Sequence, residues 1–229
     1  MRKTLALNAL DSLQMVQSAE QAGVKTMVGF NYIKNPATQL AKQIIDSGEI
    51  GDIVHFRGTH NEDYLADTGV PINWRLKRAT AGAGALADLG AHIINISQFL
   101  VGPILAVNGD LSTVTKERST AASVTDKEPV ENDDQAHSML RFDSGAIGTI
   151  EASRVAWGRK MGLTYEVTGT KGSIVFDQER LAELQLYTSD QQTSRQGFKR
   201  ILIGPEHPDY QHFLRIRRPR RGLQRPKNY

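Results

Sequence analysis

Cysteine is absent from the 229 residues, which excludes disulfides, thiolate nucleophiles and zinc–sulfur centres. No apolar run approaches the ~18 residues needed to cross a bilayer. The opening Met1-Arg2-Lys3 leads into an amphipathic stretch, not the unbroken apolar core of a secretory signal. A cytoplasmic protein with no membrane partner and no metal centre is expected. Acidic residues are missing from the last fifteen positions, where Arg215, Arg217, Arg218, Arg220, Arg221, Arg225 and Lys227 cluster. The formal charge of +3 belongs to that tail: of 28 basic residues only 21 lie before it, against 25 acids. A mildly acidic body gives no electrostatic case for binding nucleic acid. A G-x-G-x-x-G turn between a strand and a helix is lacking too. Gly82-Ala-Gly84 precedes a helix but follows no strand in a βαβ frame.

What is present begins with half of a βαβ unit. Leu10, Leu13, Val16 and Ala19 repeat every three residues and predict a helix from Leu5 to Ala22, stopped by Gly23. Val24 to Phe30 then reads as a short strand of a parallel α/β domain. Asn35-Pro36 opens a second helix with a cap and a proline at its first position. Ile53 to His60 alternates as a strand, and Asn61 to Thr80 is a long polar loop of the kind that is more often functional than idle. Leu105 to Val114, Gln135 to Phe142, Ala146 to Arg154, Leu163 to Thr168, Ser173 to Asp177 and Glu183 to Tyr187 read as successive strands of a meander. Lys116 to Asn132 reads as a strand-poor, mobile excursion. The fold class expected is α+β: a remnant of a parallel domain over residues 1–31, a mostly antiparallel open sheet with helices on one face over 32–212, and a basic, disordered tail over 213–229.

The chemistry-bearing stretch is Gly84-Ala-Leu-Ala-Asp88-Leu-Gly-Ala-His92. Leu86, Leu89, Ile93, Ile96 and Leu100 form the apolar stripe of a helix. Asp88 and His92, four apart, meet on a neighbouring face. An imidazole takes or gives a proton near neutral pH, and a carboxylate one turn away orients it or holds a hydroxyl. A surface ion pair that steadies the helix is the plainer reading of the same spacing. The small residues of Ala79 to Ala85 let either a ligand or another backbone come close to the helix start. Arg75 is a candidate for phosphate or amide oxygens, with a loop salt bridge as the alternative. Asn31, Tyr32 and Arg159 are candidates to line a pocket, or else solvated surface. His55, His60 and His137 read as strand or loop residues with satisfied hydrogen bonds.

The order of these pieces resembles the C-terminal part of the Gfo/Idh/MocA family, the glucose–fructose oxidoreductase and inositol dehydrogenase group. The resemblance rests on Ala22-Gly-Val-Lys-Thr-Met-Val-Gly-Phe30, Ser47-Gly-Glu-Ile-Gly-Asp-Ile53, Trp74-Arg75, Gly84 with Asp88 and His92, Asp133-Asp134-Gln-Ala, Phe142-Asp-Ser-Gly-Ala146 and Gly169-Thr-Lys-Gly-Ser173. It implies oxidation of a sugar or cyclitol hydroxyl, with hydride passing to NAD or NADP. It implies Lys3 between nicotinamide and substrate, Asp88 on the substrate hydroxyls and His92 as proton acceptor. Trp74 and Arg75 stand on the cofactor side, and Asn31, Tyr32 and Arg159 on the substrate side. Copies of the chain are expected to pair through the open face of the sheet. Two departures stand out: Arg2-Lys3-Thr4 lacks the proline of the family's Glu-Lys-Pro, and from His212 the sequence turns Arg- and Pro-rich, as a shifted reading frame would produce. Without a dinucleotide turn the chain alone is expected to be inactive. The alternative is a non-catalytic, oligomerising domain.

Overall fold

The computed structural model of the chain describes residues 6, 8–190 and 192–210. Lys3 and the basic tail lie outside them. Helix α1, Ala9–Gln21, starts where the Asn8 side chain accepts the Asp11 N–H at 2.8 Å. It ends at Gly23, whose φ of +63° suits a residue without a Cβ. No residue of α1 is buried, and Leu10 and Leu13 are more than half exposed. The strand expected at Val24 to Phe30 does not form: the segment joins no ladder among the described residues. Apolar alternation makes a strand only when a neighbour takes its N–H and C=O groups.

The second helix forms as its caps require. Asn35 accepts the Ala37 N–H at 2.9 Å, Pro36 occupies the first turn of α2, Pro36–Asp46, and Ala37, Ala41 and Ile44 are buried. Strand β1, Ile53–Asn61, turns Phe56, Gly58 and His60 inward. A one-turn helix α3, Arg78–Ala81, lies in the long loop. A π-turn, Leu86–Gly90, runs directly into α4, Ala91–Leu100, where one regular helix was expected. The strands that follow are β2, Ile104–Ser112; β3, Glu117–Ser119; β4, Lys127–Pro129; β5, Gln135–Phe142; β6, Ile147–Ser153; β7, Gly162–Gly169; β8, Gly172–Asp177; β9, Glu183–Thr188; and β10, Lys199–Leu202.

Eight strands form one sheet in the order β10-β9-β8-β7-β1-β6-β5-β2. Every pairing is antiparallel except β1 with β6. The meander is therefore interrupted, because β1 sits between β6 and β7. Helices α2 and α4 pack on one face, over a core that includes Phe56, Ile93, Ile96, Phe142, Tyr165 and Phe176. The approach is closest at Gly58, where a Cβ would stand 2.5 Å from the Ile93 side chain. The mobile excursion expected at Lys116 to Asn132 is not what forms: β3 and β4 pair as a hairpin, and Arg118 in the middle of β3 is 1% exposed. Its guanidinium donates to the carbonyls of Leu65, Asp67 and Val70 at 2.6, 2.7 and 3.1 Å, which ties the hairpin to the loop after β1. Polar composition did not reveal this, because one buried cation with three acceptors does the work of an apolar anchor.

The start of the π-turn is held by a buried polar network. Asp133 accepts the Gly84 and Leu86 N–H groups on its carboxylate, both at 2.7 Å, and the Ala85 N–H on its backbone oxygen at 2.9 Å. Asp134 takes the Arg154 Nε–H at 2.9 Å on one oxygen, and the Val114 and Thr115 N–H groups on the other. Arg154 also donates to Asn132, which donates in turn to the Arg75 carbonyl. Asp134 and Arg154 are fully buried, so removing either leaves an uncompensated charge, at a cost of about 3–5 kcal/mol. Urea denaturation of R154A and D134N is expected to show losses of that size; a loss below about 1 kcal/mol, the level of an exposed pair, would contradict the network.

Candidate functional site

His92 occupies the first turn of α4 and is buried. Three rings enclose its imidazole: Tyr32 at 4.6 Å between centroids, and Phe30 and His60 at 5.7 Å each, all edge to face. Tyr32 also stands edge-on to His60 at 5.7 Å. Phe30 and Tyr32 come from the chain just before α2, His60 from the end of β1, and His92 from the helix across them. Helical spacing put His92 at the edge of the apolar stripe. The structure closes that edge with aromatics from elsewhere in the sequence.

Asp88 lies in the π-turn, half-buried, four residues before His92. The Tyr64 hydroxyl donates to its Oδ2 at 2.9 Å. Burial, and then the Asp88 carboxylate, push the Tyr64 phenol far above its ordinary range. Tyr32 is raised by burial first, and then by Glu62 and Asp88. Both phenols are thereby held in the protonated form, and Tyr64 is the donor to Asp88. His60 Nδ1 lies 3.0 Å from the Leu89 carbonyl in the π-turn, and its Nε2 lies 3.4 Å from Glu62 Oε1. His60 stands at the end of β1, and Glu62 and Tyr64 follow where the chain leaves the strand and turns. The segment is steered by backbone bonds to the chain after β6: Glu62 N–H to Ser153 O, Leu65 N–H to Arg154 O and Ala156 N–H to Glu62 O.

The remaining candidates lie elsewhere. Trp74 and Arg75 occupy a short turn, with the Arg75 guanidinium 4.6 Å above the half-exposed Trp74 ring. Asn31 is exposed, and Arg159 is paired with Glu179 at 3.0 Å on the surface. Lys3 is outside the described residues. The small-residue approach serves a backbone and not a ligand: a Cβ on Gly84 would lie 1.9 Å from the Asp133 oxygen. Among the described residues no group of three His, Asp or Glu side chains is placed to hold a metal ion. Sequence reasoning missed Glu62 and Tyr64, which fell in a loop of unassigned shape. It read His60 as a strand or loop residue with satisfied hydrogen bonds; the residue lies in β1 and is bonded through Nδ1, its Nε2 has no hydrogen-bond partner among the described residues, and its place against His92 had no sequence signal. The one available signal was the length of the loop.

Tyr64 gives a direct check. Because its phenol does not ionise near pH 10, where an ordinary tyrosine does, Tyr64→Phe is expected to leave the absorbance rise at that pH unchanged in a spectrophotometric titration. Loss of one tyrosine's amplitude there would show that Asp88 and burial do not hold the proton.

Residues 38–175 match the family model described as the GFO/IDH/MocA C-terminal domain. Levoglucosan dehydrogenase of Pseudarthrobacter phenanthrenivorans is 41% identical over 217 residues, which cover 90% of this chain and 56% of that protein. The scyllo-inositol 2-dehydrogenase (NAD(+)) of Bacillus subtilis is 32% identical over 174 residues, 75% of this chain and 46% of the relative. Among solved structures, levoglucosan dehydrogenase in complex with NADH and L-sorbose superposes with a TM-score of 0.87 at 41% identity, over 96% of this chain and 57% of that one. An NAD binding oxidoreductase from Klebsiella pneumoniae gives 0.84 at 46% identity, over 88% and 53%. The chain spans about half the length of the relatives it matches. The sheet, the Asp88/His92 helix and these matches together establish that the chain belongs to the Gfo/Idh/MocA family.

Proposed function

We propose that this chain carries the substrate-handling half of a dehydrogenase that oxidises a sugar or cyclitol hydroxyl, with NAD or NADP as acceptor. The observation that carries the reading is the buried His92 ring beside an Asp88 held by Tyr64. Carbon releases hydride readily only as its oxygen loses a proton, so the site needs a base near the hydroxyl. His92 takes that role. Asp88, accepting from Tyr64, is left to accept from substrate hydroxyls, which are donors a polyol has in number. The aromatic box excludes water and strengthens both interactions. Nicotinamide supplies the hydride acceptor when bound. The described residues fit the substrate end of such a site and offer no cradle for a pyrophosphate, since Asp133 fills the one glycine-rich helix start. Lys3 and Arg75 are assigned to the cofactor side by family resemblance. Asn31 and Arg159 are assigned to the rim of the pocket in the same way.

Ligand-observed NMR on the chain with levoglucosan and with myo-inositol tests this. Binding of at least one, in the millimolar range, is expected. Asp88→Asn weakens it by roughly tenfold or more, as loss of a charge-assisted hydrogen bond does. Absence of binding to both, or binding indifferent to Asp88 and to His92→Leu, would overturn the reading.

A second role, as an assembly domain, is favoured by the other face of the sheet. Arg57, Asp110, His137, Met139 and Glu151 line a shallow cavity of about 560 Å³ there, and no helix residue contributes to its lining. Charges of both signs on one flat surface suit a two-fold contact of the face with itself. Light scattering is expected to give a particle of at least twice 25.3 kDa. A strict monomer at high concentration would contradict the proposal.

A further inference from the structure

We propose that His60 is a positioning residue: through its Nδ1–H it clamps the π-turn between Asp88 and His92. The proposal rests on the reading of Asp88 and His92 as the reacting pair. A π-turn is rarer and less favourable than the α-helical turn it replaces, and it persists where tertiary contacts hold it. Here the hold comes from the sheet. Leu89, in the middle of the turn, has its carbonyl 3.0 Å from His60 Nδ1. A carbonyl only accepts, so Nδ1 must carry the proton. The opposite nitrogen lies 3.4 Å from a Glu62 oxygen but makes no hydrogen bond among the described residues, so the Leu89 carbonyl is the one bonded partner of the ring. His60 has no exposed surface, so water does not replace the bond if it is lost. The ring itself stands against His92 and Tyr32, so its orientation also sets theirs. Residues on either side of the clamped carbonyl are the ones that matter. Asp88 precedes Leu89 directly, and His92, in the first turn of the regular helix, follows three residues later. The spacing of carboxylate and imidazole is thus set by a third residue, from β1. That residue would neither touch the alcohol nor accept its proton.

The experiment is NMR on the full chain, wild-type and with two isosteric amides. The side-chain amide of His60→Asn reaches the position of Nδ1, whereas that of His60→Gln reaches the position of Nε2. The wild-type spectrum is expected to show His60 as the Nδ1–H tautomer by its ¹⁵N shifts. H60N retains slow amide exchange across residues 86–92 and the wild-type His92 ring resonances. H60Q speeds exchange in that stretch by about tenfold or more, while strands β8 and β9 keep theirs. An Nε2–H tautomer in the wild-type overturns the proposal. So does an H60Q turn as protected as the wild-type, or equal loss of protection in both variants throughout the sheet, which would mark His60 as a general packing residue. None of these readouts depends on a sugar or a nucleotide. Failure of the catalytic reading, seen as sugar binding indifferent to Asp88, therefore remains distinguishable from failure of this one.

Discussion

Three successive backbone N–H groups, of Gly84, Ala85 and Leu86, converge on one residue, Asp133. That convergence decides where the chemistry can be. A helix start carries unsatisfied donors and a positive end, and it draws an anion. In this chain the anion is internal. Asp133 brings the strand β5 entry against the helix, its neighbour Asp134 holds Arg154, and Arg154 holds Asn132 and, through it, the Arg75 turn. Gly84 is obligatory at this point because any side chain would meet the Asp133 backbone. The helix is thereby fixed in angle and depth before any ligand is considered.

On that fixed helix, the site is assembled from three regions distant in sequence. The chain before α2 gives Phe30 and Tyr32, the extension of β1 gives His60, Glu62 and Tyr64, and the helix gives Asp88 and His92. Two of these groups meet a partner that limits what they can do. Tyr64 commits one oxygen of Asp88 as an acceptor, and Leu89 commits one nitrogen of His60 as a donor. Buried polar clusters define a structure only when their members are matched in this way. Here the matching is done by one phenol, which burial and Asp88 keep protonated, and by one backbone carbonyl.

Much of the sheet was legible in the residues. Alternation placed β5 to β9 within a residue or two at each end, and Asn35-Pro36 marked the start of α2. Asp88 and His92 were legible from their spacing after a glycine-rich approach. Other features had no local signature. The π-turn preserves the apolar stripe of an ordinary helix, so periodicity does not distinguish them. Val24 to Phe30 has the pattern of a strand, but no neighbour among the described residues pairs with it. Arg118 looks like any polar hairpin residue until its three carbonyl partners are seen. Tyr64 sits in a stretch whose course is set by hydrogen bonds to residues near 154, far along the chain. The order of strands was also hidden, because alternation says which face a residue takes and not which strand lies beside it.

The placement of β1 has a consequence for how the molecule comes into being. It is the first strand in sequence among the described residues and lies in the interior of the sheet, with both neighbours, β6 and β7, encoded far downstream. Closing loops of that length costs entropy before any ladder bond repays it. While the ribosome is still translating the middle of the chain, β1 lacks the ladder partners β6 and β7 that it has in the folded sheet, and its apolar side chains are open to wrong partners. Assembly must wait for the β6–β7 pair to emerge and receive the earlier strand between them, so nascent chains stalled ahead of that point are the aggregation-prone species.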